Sequence, residues 1–265
     1  MSASHLAKSP RGTHTSGSAF DYSRCSAALC FDFDHSFVDG NTDLVVPSVV
    51  APHLTDYIRA RAAAHAPWTQ LMADVARQMH AGGVMPTDIR SALDTIDVDP
   101  DMIRCVNEVK SCGGFTAIVS DANEFYIDSI LQRIGVNVDA IVTNGGRIDG
   151  RGVLQITPYH VGAPHGCKRC PPNLCKGAVL DALQLSDGSS VDRSAATVVY
   201  VGDGDGDLCA CLRLGANDVI CARSGFALLR SLARKDVAPL VRARVVAWKK
   251  GSDVLREVRA ALARA

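Results

Sequence analysis

The chain has 265 residues, 47% hydrophobic and 21% charged, with 28 basic residues balanced by 28 acidic ones. That length supports one large or two modest domains with a real core, and a net charge of zero offers no basic surface for nucleic acid. No run approaches the roughly 18 apolar residues of a membrane span, and the N-terminal stretch lacks the apolar segment of a secretory signal. Ten cysteines in a chain this long do not read as a disulfide scaffold. Cys30, Cys209, Cys211 and Cys221 sit in apolar runs as small core residues do, so a reducing, cytoplasmic setting is expected.

Residues 1–24 are rich in Ser, Thr, Gly and His without a hydrophobic period and are expected to form a disordered tail. Their basic character leaves an organellar transit peptide as the alternative. An apolar strand over residues 27–31 follows and ends in Asp32 and Asp34. Strand alternation predicts that these two carboxylates project together with Phe33 turned away. Like charges held so close raise each other's pKa, and a hard, oxygen-loving cation such as magnesium is the usual remedy. The alternation also turns His35 away from the pair.

After the turn at Asp39-Gly40-Asn41, residues 53–66 and 68–80 carry apolar positions at helical spacing, and Gly82-Gly83 and Pro86 interrupt the pattern. Trp68, Leu71, Met72, Val75 and Met79 read as the packed face of a small helical unit. Thr87 is the expected N-cap of the next helix. A helix over residues 101–112 closes at Gly113-Gly114, and a strand over residues 115–119 ends in Ser120-Asp121-Ala122-Asn123. A helix over residues 123–134 leads to a strand at residues 138–142, and Asn144-Gly145-Gly146 with Asp149-Gly150 signals a hairpin. A fourth strand at residues 197–201 runs into Gly202-Asp203-Gly204-Asp205-Gly206-Asp207, followed by a helix at 207–214 and a fifth strand at 218–221. The last helix is expected to take Ser252 as N-cap and to bury Val254, Leu255, Val258 and Leu262.

Strands alternating with helices imply an α/β fold: a Rossmann-like parallel sheet, residues 25–44 and 105–265, with a small α-helical cap inserted after the first strand over residues 45–104. Ligands bind at the carboxyl ends of such strands. Three of them end in polar sets, Asp32/Asp34, Ser120/Asp121 and Asp203/Asp207. One acidic strand end is explained by solvation; three on one edge are not.

These motifs resemble the haloacid dehalogenase superfamily of phosphotransferases: DFDHS at 32–36, Ser120, Lys176 opening a helix, and GDGDGD at 202–207. NTD at 41–43, SDAN at 120–123, HGCKRCPPNLCKG at 165–177 and YVGDG at 200–204 extend the resemblance to its phosphoethanolamine/phosphocholine phosphatase family. The resemblance implies a magnesium-dependent phosphatase acting on a small phosphomonoester, most readily phosphoethanolamine or phosphocholine, through an aspartyl-phosphate. Asp32 would be the nucleophile and Asp34 the general acid and then base. Ser120 and Lys176 would clamp the transferring phosphoryl group. Magnesium would be held by Asp32, the backbone carbonyl of Asp34, and Asp203, while Asp207 would orient the lysine or a metal-bound water. Asp43 and Asp121 match positions that face a substrate ammonium group; the competing reading is that each caps a helix. The sequence departs from the family pattern at Gly206, where Asn is usual, and at Ser36, where Thr is usual. Pyrophosphate, pyridoxal phosphate and thiamine monophosphate are the alternative substrates, and a phosphate-responsive binding protein is the non-enzyme alternative, disfavoured because every chemical residue is present. His165, Cys167, Cys170 and Cys175 offer four ligands for a structural zinc; the preferred reading is that they only shape the loop next to Lys176. A small phosphorylated metabolite is the only partner expected, with neither nucleic acid nor membrane.

Overall fold

A computed structural model describes residues 27–161, 165–186 and 196–264, so the expected N-terminal tail lies outside the described residues. Chain order begins with β1 (Ala27–Phe31), then four helices, α1 (Thr42–Val50), α2 (Thr55–Ala63), α3 (Trp68–Ala81) and α4 (Pro86–Leu93). Next come α5 (Pro100–Ser111), β2 (Phe115–Asn123), α6 (Glu124–Ile134), β3 (Ala140–Ile148) and β4 (Leu154–Thr157). The remainder is α7 (Lys176–Ala182), β5 (Thr197–Gly202), α8 (Leu208–Cys211), β6 (Val219–Arg223), α9 (Ala227–Leu232), β7 (Arg244–Trp248) and α10 (Gly251–Leu262).

The strands form one seven-stranded sheet in the order β4-β3-β2-β1-β5-β6-β7, parallel except for the β3–β4 pair. The α/β reading holds. β1 occupies the centre, paired with β2 on one side and β5 on the other, so the carboxyl ends of the three strands that carry acids adjoin. Both sheet faces are buried, and the period of two sorts the side chains. Ala27, Leu29 and Phe31 enter the cluster shared with α5, α10 and the helical block. Ala28 and Cys30 enter the cluster on the other face, with Val179, Leu180 and Leu228. α5 packs on α10 and β1; in α10, Val254, Leu255 and Val258 are buried, with Leu262 packed at the rim of the same cluster. No helix among the described residues is long and apolar enough to cross a membrane.

Several local expectations are corrected. β2 runs four residues beyond Val119, through Asn123. The Asn144-Gly145-Gly146 run lies inside β3 rather than at a turn, and the hairpin reverses after Ile148, which pairs with Leu154. Glycine is needed there for close approach: a Cβ on Gly146 would stand 2.6 Å from Asn123 Oδ1 and 2.8 Å from the Phe125 amide. Neither Thr87 nor Ser252 is an N-cap. Pro86 already occupies the first turn of α4, and the Asp88 carboxylate accepts from the Met85 amide at 2.8 Å. Likewise α10 starts at Gly251, with Asp253 accepting from Lys249 and Lys250 amides. Residues 53–66 divide into a 3-10 turn at Pro52–Leu54 and α2, and the helix expected at 207–214 is a 3-10 turn, Asp205–Asp207, leading into the short α8.

Candidate active site

The end of β1 is where the fold departs most from simple alternation. The strand stops at Phe31, and Phe33–Phe37 form a tight turn in which His35 takes the left-handed region at φ 54°. Asp32 and Asp34 therefore do not sit as neighbours on one strand face. Asp32 remains at the sheet edge, its amide donating to Val201 O at 2.8 Å and its Oδ1 accepting from the Phe33 amide at 2.6 Å. Asp34 is carried over toward the helical block, where the Thr42 amide donates to Oδ1 at 3.0 Å and the Thr42 hydroxyl to Oδ2 at 3.2 Å. Arg223 holds the turn from outside: it donates to His35 O at 2.7 Å and to Asp39 at 2.5 Å, with its guanidinium over the Phe226 and Trp248 rings. The His35 ring itself lies against Phe226, 5.1 Å between centroids, so it is no part of the carboxylate pair, as expected.

Lys176, the first residue of α7, is the cation of the site. Its buried Nζ lies 2.8 Å from Asp32 Oδ2 and 2.8 Å from Asp207 Oδ1. Asp207 also accepts the Tyr200 hydroxyl at 2.7 Å and the amides of Asp203 and Gly204 at 3.0 Å each. Four donors on one fully buried carboxylate, the Lys176 ammonium among them, explain how it is tolerated there. A Cβ at Gly206 would meet nothing within 4 Å, so the departure from the usual Asn leaves these contacts intact. Ser36 keeps the hydroxyl function, donating to Asp203 Oδ1 at 3.3 Å. Ser120 is fully buried at the end of the straight part of β2, and its Oγ accepts from the Ala122 amide at 3.3 Å.

The electrostatics follow from this crowding. Burial, reinforced by Asp207, pushes the Asp32 carboxyl up, and Lys176 pulls it back. Burial and Asp207 also raise Asp203, to about 6. Asp34 is pushed well up by burial and by Asp43, against the Thr42 bonds. One carboxylate oxygen from each of Asp32, Asp203 and Asp207 lies within 4.8 Å of the others. This all-oxygen donor set of crowded, buried acids suits a hard divalent cation such as magnesium.

Further out, Asp43 is buried in the first turn of α1, and its hydrogen-bond partner among the described residues is the Trp68 indole, donating at 2.7 Å. Burial lifts its carboxyl to about 7. The cap of α1 is Asn41 and that of α6 is Asn123, so the capping reading fails for both Asp43 and Asp121. Asp121 is exposed, with its backbone carbonyl accepting from Asn144 Nδ2 at 2.6 Å. Tyr126 is fully enclosed and close enough to Asp43 and Asp34 that both charges add to burial in raising its hydroxyl pKa. Trp68 was legible only as a packing residue and Tyr126 went unread, because nothing in their local spacing points to Asp43. The cysteine cluster also differs from expectation. Cys167, Cys170 and Cys175 converge on Cys209, not on His165. His165 folds the loop instead, accepting from the Cys167 amide at 3.1 Å and facing Pro171 O at 2.9 Å.

A central strand ending in a buried aspartate, a lysine clamped between two acids and an acidic loop on the next strand together define a phosphatase of the haloacid dehalogenase superfamily. The chain belongs to the family described as Putative Phosphatase, which matches residues 27–262. It is 36% identical over 234 residues to a thiamine phosphate phosphatase-like protein of Arabidopsis thaliana, covering 86% of this chain and 92% of that one. Inorganic pyrophosphatase 2 of the same plant is 32% identical, covering 86% and 81%. Human phosphoethanolamine/phosphocholine phosphatase is 33% identical, covering 85% of each chain. Among solved structures, a substrate-bound phosphoserine phosphatase superposes with a TM-score of 0.54 at 14% identity, covering 87% of this chain and 97% of that one; it bears on the fold alone.

Proposed function

We propose that this phosphatase hydrolyses a small phosphomonoester whose alcohol carries a positive nitrogen, with phosphoethanolamine or phosphocholine as the best fit. The observation that carries the reading is Asp43: a buried carboxylate with an indole as its partner and a pKa raised to about 7, lying near Asp34 and Asp121. A substrate cation placed there would restore the ionised form and bind in return. The helices of the block over residues 42–93 serve as the cap that presents Asp43 and Trp68 to the head group.

Asp32 acts as nucleophile, with Lys176 fixing its free oxygen and partly neutralising the phosphoryl charge. The raised pKa of Asp34 suits a proton donor to the leaving oxygen, which afterwards takes a proton from water. Ser120 holds a phosphoryl oxygen. Asp32, Asp203 and the Asp34 carbonyl would hold a magnesium ion, which would supply Lewis-acid charge stabilisation when bound.

A second reading, thiamine monophosphate, is favoured by the half-buried Trp68 ring beside Asp43, on which a cationic heteroaromatic ring would stack. Pyrophosphate fits poorly, because its second phosphate would meet Asp43. Phosphate release from phosphoethanolamine, phosphocholine, thiamine monophosphate, pyridoxal phosphate and pyrophosphate, with and without magnesium, tests all of these, with Asp32→Asn as the inactive control. The expected order places a nitrogen-cation ester at least about tenfold above pyrophosphate in kcat/KM, about 1.4 kcal/mol. Preference for pyrophosphate would sink the substrate reading, and turnover independent of Asp32 would sink the mechanism.

A further inference from the structure

Apart from the exposed Cys112, the described cysteines fall into two groups. Cys30 and Cys211 belong to one hydrophobic cluster and Cys105 and Cys221 to the other, as small apolar side chains do. Cys167, Cys170, Cys175 and Cys209 belong to neither. They come from three separate stretches, a Cys-x-x-Cys loop, the residue before α7 and the second residue of α8, yet their sulfurs all lie within 4.8 Å of one another. Cys209 Sγ stands 3.6 Å from Cys167 Sγ and 3.8 Å from Cys175 Sγ.

Those separations decide between the uses of four thiols. A disulfide needs about 2.05 Å between sulfurs, and all four cysteines are free. Four sulfurs placed tetrahedrally at about 2.3 Å from one zinc ion are separated by about 3.8 Å, the spacing found here. The surroundings agree. The Ala178 amide donates to Cys175 Sγ at 3.4 Å, a bond that supports a thiolate. Gly177 lets α7 approach α8: a Cβ there would stand 2.6 Å from Cys209 Sγ and 3.0 Å from Cys209 O.

We infer that Cys167, Cys170, Cys175 and Cys209 form a closed structural zinc site that ties the lysine-bearing helix to the acidic loop. Four thiols would lose their protons to the solvent as zinc binds, leaving a fully coordinated ion with no open position for catalysis. Its place in the fold gives it a task. Cys175 directly precedes Lys176, and Cys209 follows Asp207 by two residues, so the ion would clamp both partners of the Lys176–Asp207 ion pair at 2.8 Å. The site stands on sulfur geometry and holds whichever phosphomonoester is the substrate.

The test is elemental analysis of the whole chain, produced without added zinc and purified without a metal-affinity step, under reducing conditions. About one zinc per chain is expected, released in step with modification of four thiols. Growth with cobalt should give a protein with the strong sulfur-to-cobalt charge-transfer absorption of a tetrathiolate site. His165→Ala should retain the metal, whereas Cys209→Ser should fall below about a tenth of an ion per chain. Iron in place of zinc, a metal-free folded wild type that takes up no cobalt, or loss of metal in His165→Ala with retention in Cys209→Ser each overturns the assignment. Because the wild-type measurement decides on its own, a Cys209→Ser chain that fails to fold leaves the proposal open to refutation.

Discussion

Asp43→Asn should make the protein more stable and less active at once. The carboxyl is buried, and its pKa rises from the ordinary 3.8 to about 7, burial being the main cause. Below about pH 4 the group is protonated in both the folded and the unfolded chain and contributes nothing. Between about pH 4 and 7 the unfolded chain gives up the proton while the folded chain keeps it, so stability falls as pH rises, and above 7 the full cost is present. At about 1.4 kcal/mol per pKa unit that cost is about 4 kcal/mol, and relaxation around the carboxylate brings the expected figure to about 2–4 kcal/mol.

Asn keeps an oxygen for the Trp68 indole, which donates at 2.7 Å, and removes only the charge. For a chain of this size the gain corresponds to about 5–10 °C in Tm. Thermal melts of wild type and variant at pH 8 and pH 4.5, in chelator and without substrate, read it out. The gain should be full at pH 8 and shrink toward zero at pH 4.5, while kcat/KM for the cationic ester drops by about tenfold or more. An equal Tm change at both pH values would refute the buried-acid argument. An unchanged kcat/KM would refute the ammonium role even if the melts behave as expected.

Asp207→Ala leaves Lys176 with Asp32 alone and strips the partner from the Tyr200 hydroxyl; urea unfolding should show a loss of about 3–5 kcal/mol, and a loss below about 1 kcal/mol would contradict the structural weight of the four donors on Asp207. Arg223→Ala frees the turn carrying Asp34, at a cost of about 1.5–3 kcal/mol, with hydrogen exchange faster over residues 33–40 and kcat reduced more than KM is raised. Asp34→Asn should retain the initial burst of p-nitrophenol from p-nitrophenyl phosphate, whose leaving group needs no proton, and lose roughly a hundredfold in the same first step on an alkyl phosphate; equal first-step losses on both would remove Asp34 from the acid role.

The parallel core was legible in the sequence because apolar runs ended abruptly in acids, and that pattern gives both strand direction and site. Lys176 was legible through its motif alone. What escaped depends on long separations or on turns that override alternation. Asp34 was misplaced because strand alternation does not carry past Phe31 and His35 adopts a positive φ, a conformation that no periodicity announces. Cys209 lies 42 residues from Cys167 and sits between Leu208 and Ala210, so its local context resembles a core cysteine. Trp68 meets Asp43 across 25 residues, with its ring also at the helical interface, and the packing signal masked the hydrogen bond. β7 went unread because four of its five residues are not fully buried, which weakens the apolar run that marks an inner strand.

The charge ledger of the site explains why these features belong together. Asp32, Asp43, Asp203 and Asp207 are buried, yet among the described residues Lys176 is the cation that reaches into their midst, and it bridges only Asp32 and Asp207. A fold selected for stability alone would replace such acids with apolar side chains. The surplus negative charge is instead divided in space. Asp203 and Asp32 face the position that suits a divalent ion, and Asp43 lies under the helices, next to Trp68. The proposed substrate, with phosphate at one end and a cation at the other, would engage both halves, whose separation would depend on how Asp34 and Thr42 hold the turn to α1. On the proposed reading, the two hydrogen bonds between Thr42 and Asp34, at 3.0 and 3.2 Å, are what would let the site select substrate length as well as charge.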